Sequence, residues 1–135
     1  KAEAYKQQMR QDELIITADT VVCVGDMILG KPKDADDAAA MLRLLSGKTH
    51  QVITGVTLLT SEQEKTFSVV SDVTFDDLSD EEIEYYVTKY RPFDKAGAYG
   101  IQEWIGYVGV TSLKGSYFNV MGLPVQRLYN ELKTM

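Results

Sequence analysis

Sulfur and imidazole chemistry is nearly absent from this chain. Its one cysteine, Cys23, excludes an internal disulfide, and its one histidine, His50, excludes a His-rich metal site. A Ser-His-Asp hydrolase would rest on that single histidine, and neither CxxC nor HExxH occurs. Basic residues are in deficit: 14 Lys and Arg face 20 Asp and Glu, for a net charge of -6. A general nucleic-acid binder wants a basic face for phosphates, so that class is disfavoured, while a small anionic ligand in a locally positive pocket is not. Apolar runs fall short of the about 18 residues a spanning helix needs. No charged n-region followed by an apolar stretch opens the chain, which starts at Lys1 rather than Met. Together these features suit a reducing, cytoplasmic setting.

What is there is the composition of a folded domain. The 135 residues are 44% hydrophobic and 25% charged, with no repeat, linker or low-complexity tract, and predict a single domain able to bury its own core. Residues 1–10 are rich in helix formers. Leu14 to Val24 (LIITADTVVCV) is a β-branched run of strand type, Gly25-Asp26 a turn, and Met27 to Pro32 an extended piece. Asp34 to Ser46 predicts a helix with Ala38, Met41, Leu42 and Leu45 on one face and Gly47 closing it. Gln51–Thr60 and Thr66–Phe75 predict an antiparallel hairpin, with Phe67, Val69, Val73 and Phe75 sharing a face. Ser79 to Glu82 has capping-box spacing ahead of Ile83, Tyr86, Val87 and Tyr90, and Arg91-Pro92 ends that helix. Trp104–Val110 and Ser112–Tyr117 predict extended segments. Pro124 opens a last helix, with Val125, Leu128, Tyr129 and Leu132 on one face. The fold class expected is α/β or α+β, a mixed sheet flanked by helices.

Several residues stand out chemically. Asp19 lies inside the eleven-residue apolar run, where an unpaired carboxylate costs several kcal/mol. It therefore needs a partner, a cation or an opening to solvent; a strand-end carboxylate bonded to backbone amides is the alternative, and position leaves both open. Lys31 sits on the short Gly30-Lys31-Pro32 turn and could meet a phosphate as a point charge, although spacing alone favours a solvated loop lysine. Gly47-Lys48-Thr49 is no Walker A loop, because position 42 is Leu and a strand follows. In Asp94–Gln102 (DKAGAYGIQ), glycines permit close backbone approach, Lys95 offers charge, and Gln102 offers an amide that can read a base edge. Cys23 reads as a small hydrophobe and His50 as structural.

The strings ITADTVV (16–22), LGKP (29–32), AAAMLRLLSGKTHQVITGV (38–56), DKAGAYGIQ (94–102) and GSYFNVMGLPV (115–125) resemble, in order, the signature blocks of Maf-like nucleotide pyrophosphatases, the septum-formation proteins. The resemblance implies a fold related to inosine-triphosphate pyrophosphatases, with a cleft between two lobes. It implies hydrolysis of a nucleoside triphosphate to monophosphate and pyrophosphate with a divalent cation, Mg or Mn. Asp19 matches the family's catalytic acid and cation contact. Lys31 and Lys1 match phosphate-contacting lysines, and Lys95 is the loop's candidate for the same task. Thr20 and Gln102 match the positions that separate the dTTP/UTP branch from the 7-methyl-GTP branch, which tends to carry Gln after the Asp. The family's SPRR loop, whose arginine would grip phosphate, has no counterpart here, so the chain is expected to be N-terminally truncated and impaired. A first strand is then expected to be missing, exposing a sheet edge. The resemblance also implies a homodimer, and from another functional class a nucleotide-binding regulator of cell division that does not turn over its ligand.

Overall fold

The computed structural model describes residues 13–135. The expected helix over 1–10, and Lys1 with it, lies outside the described residues. Strand β1 (Ile15–Val24) turns at Gly25-Asp26 into β2 (Met27–Leu29), followed by helix α1 (Ala35–Leu45). The long hairpin β3 (Thr49–Leu59) and β4 (Glu64–Phe75) leads to α2 (Asp80–Tyr90) and a 3-10 turn at Ala96–Ala98. Helix α3 (Trp104–Gly109), strand β5 (Val110–Lys114) and helices α4 (Tyr117–Met121) and α5 (Val125–Lys133) complete the order.

The strands form one sheet in the order β2-β1-β3-β4-β5. Every described pairing is antiparallel, not mixed as expected. The reason lies in the connections. β1–β2 and β3–β4 are joined by direct turns, and the excursion after β4 brings the chain back to the end it left: Val110 enters β5 opposite Phe75, where β4 stops. β2 and β3 run in the same direction but lie on opposite sides of β1, so they do not pair. A parallel pair would need a crossover to the far end.

Alternation sets which face is covered. Val22, Val52 and Val73 lie on one face and are buried beneath Ala38, Met41, Leu42 and Leu45 of α1 and Ile83, Tyr86 and Val87 of α2. Both helices begin on matched caps. Asp34 accepts from the Asp37 N–H, and Ser79 and Glu82 form the reciprocal capping box. Gly47, just past α1, holds φ +67, the left-handed close expected of it. A second cluster, Val56, Leu58 and Phe67 with Leu128, seats α5 at the far end of the same face.

Three expectations are corrected. Trp104–Gly109 is helical, although its aromatic and β-branched composition reads as strand. Its buried residues, Ile105 and Gly109, are four apart, and Gly109 lies so close to Phe75 and Leu78 that a Cβ would come within 3.2 Å of Leu78. Packing there overrides propensity. The next extended stretch stops at Lys114; Tyr117–Met121 is helical, capped by the Ser116 side chain. On α5, Val125 and Tyr129 are exposed, while Leu128 is buried and Leu132 half-buried against Val56, Leu58 and Phe67, so the helix seats on its 128/132 edge rather than on the whole predicted face.

Candidate active site

An open cleft of ≈ 250 Å³ lies against β1 and is walled by Asp94–Gln102 on one side and Val120–Gly122 on another. Its position follows from the sheet. β2 is three residues long and pairs only with Val22–Val24, so Ile15–Val21 is a sheet edge among the described residues. That edge brings both Asp19 and Thr20 to the cleft although consecutive strand residues point to opposite faces. Asp19 is exposed, not buried as its apolar neighbours suggested. Of the escapes open to a carboxylate in such a run, this one is the opening to solvent. Its partner in β3 is Gly55, where an added Cβ would meet nothing within 4 Å.

Thr20 faces inward to a buried polar column. Its Oγ1 is 2.9 Å from Oγ1 of Thr54, the residue it pairs with in β3. Beneath them Asn119 of α4, fully buried, places Nδ2 at 3.2, 3.1 and 2.9 Å from the Val52 and Val69 carbonyls and Ser71 Oγ, three acceptors that share its two hydrogens. Asn119 thus docks the 120–122 wall onto the sheet. Sequence reading gave it no role; a lone amide among apolar neighbours in GSYFNV was the available signal.

The two lysine-bearing loops are tied together. The Gly97 N–H donates to the Gly30 carbonyl at 3.1 Å, joining Asp94–Gln102 to the turn that carries Lys31. Gly97 has φ +72, and a Cβ there would lie 2.8 Å from Val22 Cγ2. Ala98 follows at φ 65, an uncommon conformation for a residue with a side chain, and is fully buried. Tyr99 sits under the cleft with its hydroxyl 2.6 Å from His50 Nε2, and both rings pack on Phe75. Burial pulls the His50 imidazole down to about 4 and pushes the Tyr99 phenol up, so both are neutral at pH 7. His50 is structural, as expected.

Lys31, Lys95 and Gln102 line the same cleft as Asp19 and Thr20. Lys95 Nζ is 3.1 Å from Asp94 Oδ1, and that bond, with the charge of Lys31 adding to it, holds the Asp94 carboxyl below its usual range. Asp94 carried no assignment from sequence, yet it is the second carboxylate of the cleft. Lys1 lies outside the described residues. Tyr86 is fully buried on the inner face of α2, as its helical period predicts; Tyr85 is exposed and packs edge-on against Trp104.

Among the described residues no three of His, Cys, Asp and Glu cluster as a ready metal cage. Asp19 and Asp94 offer hard oxygen donors, which suit Mg or Mn when substrate phosphates and water complete the shell. No described helix is long and apolar enough to cross a membrane.

The family model described as Maf-like protein matches residues 1–135. The chain is 63% identical over its full length to a protein of Phocaeicola vulgatus named dTTP/UTP pyrophosphatase, covering 70% of that relative. A protein of the same name from Bacteroides thetaiotaomicron is 60% identical over the full chain and is likewise covered to 70%. One from Parabacteroides distasonis is 60% identical over 133 residues, 98% of this chain and 69% of the relative. Signature strings, a cleft gathering their polar residues, and identity along the whole length agree: the chain belongs to the Maf-like protein family.

Proposed function

We propose that residues 1–135 act as one Maf-like domain that hydrolyses dTTP and UTP to the nucleoside monophosphate and pyrophosphate. The observation that carries this reading is the convergence on one cleft of a solvent-open carboxylate, two lysines and the Gln102 amide, from segments far apart in sequence. The names of the relatives support the substrate class.

Asp19 is the catalytic residue. Its carboxylate orients a water and takes its proton as the water oxygen bonds to the α-phosphorus. The bond from that phosphorus to the bridging oxygen breaks, and pyrophosphate leaves with the electron pair. Lys31 and Lys95 stabilise the charge that develops on the leaving phosphates, and Lys1 adds to them. A divalent cation, bound by Asp19 and Asp94 together with the phosphates, would neutralise triphosphate charge. Gln102 donates to O4 and accepts from N3–H of the thymine or uracil edge. Thr20, held by Thr54, shapes the pocket beside it. This work belongs to the cytoplasm.

The bond cleaved is tested in ¹⁸O-labelled water. Label in the monophosphate and none in pyrophosphate is expected; label in pyrophosphate would place the attack on the β-phosphorus and contradict the mechanism.

A further inference from the structure

Gln102 has to be held if it is to read a base, and the chain around it supplies a device for this. The Glu103 N–H donates to the Gly100 carbonyl at 3.0 Å, closing a four-residue turn with Ile101 and Gln102 at its centre. Ile101 is buried in the core, and Gln102 is left exposed at the cleft. One hydroxyl secures both ends of the turn. Tyr86 Oη accepts the Gly100 N–H at 3.0 Å and donates to Glu103 Oε1 at 2.5 Å. Tyr86 itself is immobilised in α2, fully buried and stacked on Tyr90 at 5.1 Å between centroids.

Gly100 leaves space for this arrangement. A Cβ at that position would lie 2.9 Å from Glu103 Oε1 and 2.8 Å from Lys95 Cε. A side chain there would make the Glu103 carboxylate and the Lys95 stem shift aside. Burial above all, and then the bond to the Glu103 carboxylate, keep the Tyr86 phenol protonated, so it stays a donor across the working pH range.

We infer that Tyr86, which does not line the cleft, is the positioning residue for base recognition: its hydroxyl clamps Gly100 and Glu103 so that Gln102 is presented to the nucleobase at a fixed height. This rests on Gln102 being the base reader. The clamp acts first on the base end of the ligand.

The test compares two probes by calorimetry on the whole chain: the non-hydrolysable α,β-methylene analogue of UTP, and inorganic tripolyphosphate, which has phosphates and no base. Tyr86→Phe is expected to weaken the UTP analogue about fivefold while tripolyphosphate affinity stays within about twofold. Gln102→Ala should do the same, and the double variant should be no weaker than Gln102→Ala alone. Glu103→Ala, which removes the other partner at a half-exposed position and spares the core, should weaken the analogue in the same direction. Equal losses for both probes, or additive losses in the double variant, would overturn the clamp. So would an effect of Gln102→Ala with none from Tyr86→Phe and Glu103→Ala. An unaffected Gln102→Ala would overturn the base-reader assignment beneath it, and no binding of the analogue by the unaltered chain would overturn the nucleotide reading as a whole.

Discussion

Gly97 and Ala98 adopt left-handed backbone side by side, and the first has no room for a methyl against Val22. Gly97→Ala combines the left-handed penalty of about 1 kcal/mol with that clash. It is expected to destabilise by about 2 kcal/mol in urea unfolding and to raise KM, because the N–H that ties this loop to Gly30 moves with it. Unchanged KM in that variant would mean the two lysine loops need not be joined. Asp19, Lys95 and Gln102 stood out from residue chemistry, whereas Lys31, which spacing alone read as a solvated loop lysine, and Thr20 were reached through the family resemblance. Physics alone left Asp19 undecided, since exposure is set by the sheet edge, and an edge is a property of strand order. Asp94 was missed for a related reason: its bond to Lys95 and its place in the cleft exist only once the loop is folded.

Ser79 starts α2, the helix that carries Tyr86, and its side chain accepts from the Glu82 N–H at 3.1 Å. Ser79→Ala should cost about 1 kcal/mol of stability in urea unfolding while KM stays within about twofold, since the buried face of α2 still locates the helix. Asn119→Ala is expected to cost more, about 3 kcal/mol, because the two buried N–H donors shared by the Val52 and Val69 carbonyls and Ser71 Oγ are removed at once. The same unfolding measurement separates the two; equal costs would deny α4 its anchoring role. The capped, amphipathic helices α1 and α2 and the alternating hairpin were legible because cap, periodicity and burial agree there. α3 was not, since its short apolar hexapeptide carries no cap and its helical burial is dictated by Phe75 and Leu78. For α5 the period was legible and Leu128 and Leu132 pack as predicted, but the exposure of Val125 and Tyr129 was not, because the width of the buried stripe depends on where the Val56, Leu58 and Phe67 cluster lies.

Across the whole molecule, the buried His50 links stability to pH. Its imidazole titrates near 6.5 when unfolded and at about 4 when folded, so between those values the unfolded chain binds the extra proton. Stability is therefore full above pH 6.5 and falls as pH drops toward 4, by up to about 1.4 kcal/mol per unit. Urea midpoints at pH 7 and pH 5 should differ accordingly, and His50→Gln should flatten the dependence; an unaltered slope in that variant would remove His50 as its source. The antiparallel topology of the described sheet was the least legible feature, because a strand pattern is silent on the end from which the chain returns.

The central claim is that Asp19 drives pyrophosphate release from pyrimidine nucleotides. It is tested most directly by measuring pyrophosphate from dTTP, UTP, CTP, GTP and 7-methyl-GTP with Mg²⁺ or Mn²⁺, with Asp19→Asn run in parallel. Release from dTTP and UTP above the other three, reduced by about 10²-fold or more in Asp19→Asn, is the predicted result. Normal turnover by Asp19→Asn, or release from GTP and 7-methyl-GTP equal to that from UTP, would contradict it.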